Sequence, residues 1–352
     1  MQLIFSPDQL LHRPRQFMVR GRIAAPLENP DRVTALAEAL EAVGLARRPP
    51  AEADLAPFLA VHDARYVEFL RTAHARWSAL PDAADEILPN IHPWRGGGAD
   101  PARREPPAGG GVVGEAGWYL GDMAVAIGAG TYAAAMASAR TALAAADAVR
   151  AGAPSVFGLC RPPGHHAYAD RASGFCFLNN AAIAAERLRT RFDRVAILDF
   201  DTHHGDGTQA IFYDRADVFV GSVHTDPLEY YPFYSGFAAE RGRGPGEDAN
   251  LNLPLPFGSD DAAYASGCLR LVEAARSFGA EALVLSAGWD AHREDPLSKL
   301  AVTGDAFSRI GEIFAALSLP TVILQEGGYS LNAVAEAAPR FVAAFAGKHR
   351  IG

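Results

Sequence analysis

Asp201 and His203 stand one residue apart directly after an apolar run, Val195 to Leu198. In extended chain that spacing can turn both side chains toward the same side. A carboxylate and an imidazole so placed can share one metal ion. Asp290, at the end of another apolar run, could supply a third ligand and leave a position open for water and substrate, as hydrolytic zinc sites do. Two carboxylates and one histidine also suit iron, cobalt or manganese, so the ligand types alone leave the metal open. The tandem His165-His166 follows Arg161-Pro-Pro-Gly, a stiff turn that could present imidazoles at fixed positions. A metal-bound water needs a base to take its proton, and a leaving amine needs an acid, and histidine titrates in the useful range. Each imidazole needs an orienting carboxylate, for which Asp199 and Asp206 are at hand. Tyr329, after Glu326-Gly-Gly, could approach a bound carbonyl and stabilise a developing oxyanion opposite the metal.

These residues need elements to bring them together. From Ser155 onward, short apolar runs alternate with helical segments: Ser155 to Leu159, Val195 to Leu198, Val218 to Val220, Ala282 to Leu285 and Thr321 to Leu324. The runs are continuous rather than alternating, as in strands covered on both faces. Helices are expected at Asn180 to Arg191, Asp261 to Phe278 and Asp305 to Leu317, and earlier at Pro30 to Gly44, Val61 to Ala73 and the alanine-rich Thr131 to Gly152. The expected fold class is therefore α/β, with a central, mostly parallel β-sheet. Just beyond the runs come CRPPGHH, DFDTHHGDG, GSVHTD, SAGWDAH and QEGGY. In an open parallel sheet a ligand site lies outside the carboxyl ends of the strands, so these tails should converge on one crevice. The whole chain, 1–352, is read as one domain carrying a Pro/Gly-rich loop insertion at about 78–114.

Other features exclude alternatives or keep a plain structural reading. No run approaches the roughly 18 apolar residues of a membrane span, and the N-terminus lacks the order of a signal peptide, so a cytoplasmic protein without a membrane partner is expected. Cys160, Cys176 and Cys268 form no CxxC pair and read as reduced core residues. The net charge of −9 disfavours nucleic acid as a partner and mildly attracts cations. His224, Cys176 and Trp289 are read as packing or supporting residues, and His204 as a structural hydrogen-bond donor pointing away from the metal. The GGG stretches lack the Lys-Ser/Thr of a phosphate loop.

Four motifs then carry a resemblance: RPPGHHA (Arg161 to Ala167), SGFCFLNN (Ser173 to Asn180), LDFDTHHGDGTQ (Leu198 to Gln209) and EGGY (Glu326 to Tyr329). In order and spacing they resemble the histone deacetylase superfamily, with its arginase-like three-layer fold. The opening MQLIFSPDQ, the length and the loop before Gly114 look most like the bacterial acetylpolyamine amidohydrolases of that superfamily. The resemblance implies zinc on Asp201, His203 and Asp290. It implies His166 as principal base and acid, His165 as its electrostatic partner, Tyr329 as carbonyl polariser, and Asp199 and Asp206 as the orienting carboxylates of His165 and His166. It also implies a structural K+ on Asp199 and Ser222 with the backbone carbonyls of Asp201, His203 and Val223. Gly174, Phe175 and Tyr231 would wall the acyl tunnel. Tyr231 stands where phenylalanine is commoner and could add a hydrogen bond at the rim. Dimerisation through the 78–114 loop would narrow the entrance to thin substrates. Ala124 falls where a polyamine-recognising glutamate would lie, and Asp122, near it in sequence like Glu115, is the candidate substrate-binding acid.

The expected function is hydrolysis of an N-acetylated polyamine or diamine to acetate and free amine by metal-activated water. The same machinery could serve acetyl-lysine in proteins or another small amide. From a different class, the chain could be an inactive binding module that keeps the fold. Degenerate sites usually lose a ligand or the tyrosine, and this sequence retains both.

Overall fold

The computed structural model describes residues 1–93 and 110–351. In chain order its strands are β1 (Gln2–Ile4), β2 (Phe17–Val19), β3 (Arg22–Ala24), β4 (Ala46–Arg48) and β5 (Ser155–Gly158). The second half contributes β6 (Val195–Asp199), β7 (Val218–Thr225), β8 (Asn250–Leu255), β9 (Ala282–Ala287) and β10 (Thr321–Gln325). Strands β2 and β3 form a small antiparallel ribbon, and the other eight form one sheet in the order β4-β1-β5-β10-β9-β6-β7-β8. Every neighbouring pair in that sheet is parallel. The five expected runs are its contiguous centre, β5-β10-β9-β6-β7, so their carboxyl ends lie side by side.

Alternation along the strands shows why the runs are uniformly apolar. Val195 and Ile197 of β6 join one core with Val156, Val284 and Val322, whereas Ala196 and Leu198 join the other with Phe157, Leu285 and Ile323. Successive strand side chains point to opposite faces, so a strand with helices on both sides must be apolar at every position. Helices Ala64–Ser78, Thr131–Arg150 and Asn180–Arg189 cover the first face, and Pro30–Ala42, Asp261–Phe278, Gly304–Ala315 and Leu331–Lys348 the second. The result is a three-layer α/β architecture.

The expected helices appear with shifts of a few residues at their ends, and Asp261–Phe278 as read. Asp260 caps that helix, its carboxylate accepting from the amides of Ala262 and Ala263, and Gly279 ends it at φ 79°. The Val218 run continues to Thr225, through polar residues that a reading for continuous apolar character stops at. Strands β1, β4 and β8 lie toward the sheet edges and were absent from the expectation; two of them are only three residues long. The helix at Ala64–Ser78 reaches into the expected loop at 78–114, and another begins within it at Val112. Residues 94–109 of that span lie outside the described residues.

Candidate active site

The tails of β6 and β9 place Asp201, His203 and Asp290 in one buried cluster whose ligand atoms lie within 4.8 Å of one another. His203 Nδ1 lies 3.0 Å from Asp201 Oδ1 and 3.1 Å from Asp290 Oδ2. The backbone fixes both carboxylates. Gly327 N–H donates to Asp201 Oδ2 (2.7 Å), His203 N–H to Asp201 Oδ1 (2.8 Å) and Thr202 N–H to Asp290 Oδ1 (3.1 Å). Asp290 Oδ2 is buried and receives no hydrogen bond, an arrangement costly without a cation. Ligand atoms around a zinc bound at about 2.0–2.1 Å stand roughly 3.3 Å apart, close to these separations. Gly327 is required by the close approach: a Cβ there would stand 2.2 Å from Asp290 Oδ2 and 2.4 Å from Asp201 Oδ2. The cluster therefore fits a divalent cation. Two buried carboxylates cannot both ionise comfortably beside one another, and burial together with the charge of Asp201 pushes Asp290 up to about 7. Burial opposes a charge on His203, but its hydrogen bond to Asp201 and the neighbouring charge of Asp290 raise it to about 9.

The tandem histidines form two separate imidazole–carboxylate pairs. His165 Nδ1–H donates to Asp199 Oδ2 (2.9 Å), and His166 Nδ1–H donates to Asp206 Oδ1 (2.7 Å). The rings lie 4.0 Å apart, and His166 is 6.0 Å from the His203 ring. Their proton affinities diverge. Burial opposes a charge on His165, but Asp199 and Asp201 raise its pKa well above the ordinary value. Burial, and then the charge on His165, lower His166 to about 4. One neutral imidazole thus sits beside one cationic imidazole, the combination an acid–base pair needs. Tyr168 holds the second oxygen of Asp206 through its hydroxyl (2.7 Å).

Gly174 and Tyr231 lie against His166, and Phe175 lies against Tyr329. Gly174 and Phe175 both adopt left-handed backbone, φ 50° and 68°. The Phe175 ring lies 5.8 Å from both Phe17 and Tyr329, and the Tyr231 ring 4.9 Å from His166. Asp122 reaches the same place, but its carboxylate is already engaged. Oδ2 accepts from the Tyr231 hydroxyl (2.7 Å), the Ser173 hydroxyl (3.0 Å) and Gly174 N–H (3.0 Å), and Oδ1 accepts from Ala124 N–H (2.8 Å). Glu115, the other nearby acid, is ion-paired with Arg76 at 2.5 Å. Asp199 faces Ser222 across β6 and β7, where Ser222 Oγ lies 2.8 Å from His224 Nδ1. His204 Nε2 meets Gln209 Oε1 at 3.2 Å, the Trp289 indole donates to Gln325 Oε1, and the Cys176 thiol to the Gly174 carbonyl.

Comparison with known proteins gives this arrangement its context. A model of the histone deacetylase domain matches residues 26–345. The chain belongs to the histone deacetylase family. It is 48% identical over 346 residues to the acetylpolyamine amidohydrolase of Burkholderia pseudomallei (strain 1710b), covering 98% of each chain. It is 40% identical to acetylpolyamine amidohydrolase 2 of Pseudomonas aeruginosa, over 99% of this chain and 100% of that one. A crystal structure of acetylpolyamine aminohydrolase from Burkholderia pseudomallei superposes with a TM-score of 0.94 at 47% identity, covering 99% of both chains. The chain is a deacetylase, a hydrolase of amide bonds.

Several residues that support this deacetylase site escaped the sequence reading. Arg32 donates through Nη2 to the Glu326 carbonyl (2.7 Å) and through Nε to the Gly328 carbonyl (2.5 Å), and its guanidinium lies 4.5 Å from the Tyr329 ring centre. Asp295 accepts from the amides of Tyr329 (2.6 Å) and Ser330 (2.9 Å), and Tyr230 stacks on His203 at 4.9 Å. Arg32 lies on a helix about 300 positions upstream of the turn it holds, with no local motif to mark it. No helix among the described residues is long and apolar enough to cross a membrane.

Proposed function

We propose that the chain is a zinc-dependent amidohydrolase that removes acetyl groups from N-acetylated polyamines or diamines, releasing acetate and the free amine. The observation that carries this reading is the unbonded Asp290 Oδ2, facing His203 and Asp201 beside two imidazoles of opposite proton affinity. The names of the similar proteins supply the substrate class.

Asp201, His203 and Asp290 would hold the zinc, which as a Lewis acid polarises the acetyl carbonyl and makes water a stronger acid. His166, neutral at pH 7, takes the proton of the attacking water and later delivers it to the leaving nitrogen. His165 stays cationic against Asp199 and stabilises negative charge developing beside it. Tyr329, its backbone fixed by Asp295 and its ring covered by Arg32, donates its hydroxyl to the oxyanion. Phe175, Gly174 and Tyr231 wall the acyl chain. A structural K+ would draw on Asp199 and Ser222, which the register of β6 and β7 sets opposite one another, and on the carbonyls of Asp201, His203 and Val223. A homodimer through the connection at 78–114 would restrict entry to thin substrates. With Asp122 and Glu115 both engaged internally, neither offers a free carboxylate to a distal ammonium.

The test is turnover of zinc-loaded protein on N-acetylputrescine against an acetyl-lysine peptide, with His166→Ala as control. Preference for the diamine, abolished in the variant, supports the proposal. Preference for the peptide moves the function to protein deacetylation, and turnover of neither refutes both substrates.

A further inference from the structure

Beneath the tandem-histidine turn lies a fully buried carboxylate to which the chemistry above assigns no part. Glu326 Oε2 accepts the amide of Gly164 (2.6 Å) and that of His165 (3.1 Å), more than 160 residues away in sequence. Its other oxygen is 3.4 Å from the Ser286 hydroxyl at the end of β9. A carboxylate oxygen of Glu326 also lies within 4.8 Å of a ring nitrogen of His165 and of the Cys176 sulfur. That trio resembles a metal seat, but Glu326 Oε2 is occupied by two amides and the thiol donates to the Gly174 carbonyl.

We propose that Glu326 is a positioning residue for deacetylation: its carboxylate ties the tandem-histidine turn to the turn carrying Tyr329 and gives His165 an anionic neighbour on a second side. The proposal rests on the roles assigned to His165 and His166 above. Three residues after Glu326 comes Tyr329, so one side chain sets the distance between the acid–base pair and the carbonyl polariser. Its backbone is pinned as well, through Arg32 and the Gln325 side chain at the carbonyl and Ala287 at the amide. Asp199 contacts His165 from β6 while Glu326 approaches from β10, so the imidazolium is flanked from two strands. The titratable groups facing Glu326 are His165 and Asp199, with Cys160 and Cys176 within its field. Burial raises Glu326 to about 7, while His165 and the two amides favour its charged form.

The experiment uses zinc-loaded protein labelled with 15N-histidine and follows the His165 ring by long-range 1H–15N correlation across pH, alongside kcat and KM. Glu326→Gln keeps the size and one acceptor but removes the charge. The His165 titration should fall by about one pH unit or more, the span a nearby charge commands, with kcat lower by about tenfold or more and KM within about twofold. Glu326→Asp keeps the charge but shortens the reach, so the titration should stay nearer wild type while kcat drops; it carries the test if the glutamine variant fails to fold. A His165 titration unmoved in Glu326→Gln, or kcat within about twofold of wild type in both variants, would overturn the proposal. The spectroscopic arm needs no substrate, so a wrong substrate assignment, seen as no turnover by wild type, is told apart from failure of this inference.

Discussion

Replacing Gly174 by alanine should disable the enzyme without unfolding it, and the size of the effect can be worked from the structure. The new methyl would stand 2.4 Å from His166 Cδ2 and 2.8 Å from its Cγ, where ordinary contact begins at 3.4 Å. The imidazole must therefore retreat by about 1 Å (3.4 − 2.4). It has little room to do so, because Asp206 holds Nδ1 at 2.7 Å and the Tyr231 ring lies 4.9 Å away. A displacement near 1 Å in an acid–base group can cost about 10²-fold in rate. Alanine at φ 50° adds backbone strain of about 1–2 kcal/mol, small against a typical stability of about 5–15 kcal/mol. We expect kcat on the acetylated amine to fall by about 30- to 100-fold, with zinc content and circular dichroism near wild type and the melting point lower by a few degrees. A variant that melts normally and keeps kcat within about threefold would show that His166 is not held where the geometry puts it.

Four further outcomes follow from the same geometry. Asp290→Ala removes the carboxylate with the unbonded oxygen, and the purified protein should hold less than about a tenth of the wild-type zinc; full metal with full turnover would displace Asp290 from the ligand set. In metal-free protein Asp290 and His203 take up protons near pH 7 and 9, so zinc affinity should weaken as pH falls through that range, and an affinity independent of pH would contradict the assignment. With zinc in excess, kcat/KM should fall at acid pH as His166 gains its proton, with a midpoint near 4, and at alkaline pH as His165 loses its own. Alkaline loss of activity centred at the ordinary histidine value of about 6.5 would exclude His165 as a cation stabilised by Asp199. Tyr231→Phe deletes the hydroxyl that donates to Asp122, a bond to a charged acceptor worth about 1.5–3 kcal/mol. It should lower the melting point and raise KM with kcat within about threefold, and an unchanged melting point would discount that bond.

The chemistry-bearing residues were legible because strands ending in functional residues leave a local mark. An apolar run stops, and HH, DxDxHH or EGGY follows. Continuous apolarity also revealed burial on both faces, and hence a parallel sheet, before any strand order was known. Strands β1 and β4 gave no such mark, being three residues long, and the apolar run of β8 is broken by the buried Asn250 and Asn252. The surroundings of Asp122 illustrate another limit. Its acidity is visible in the sequence, but the donors on its carboxylate come from Ser173, Gly174 and Tyr231, at separations of up to 109 residues.

By itself the sequence determined the residue types of the site, their order along the chain and the α/β class, because periodicity and motif spacing are local properties. Only the tertiary structure decided that β5, β10, β9, β6 and β7 are neighbours, that Asp290 Oδ2 lacks a partner, and that Glu326 and Arg32 brace turns far from them in sequence. Those are contacts between distant segments. Their energies depend on burial and on the distances between charges, quantities that exist only once the chain has closed around them.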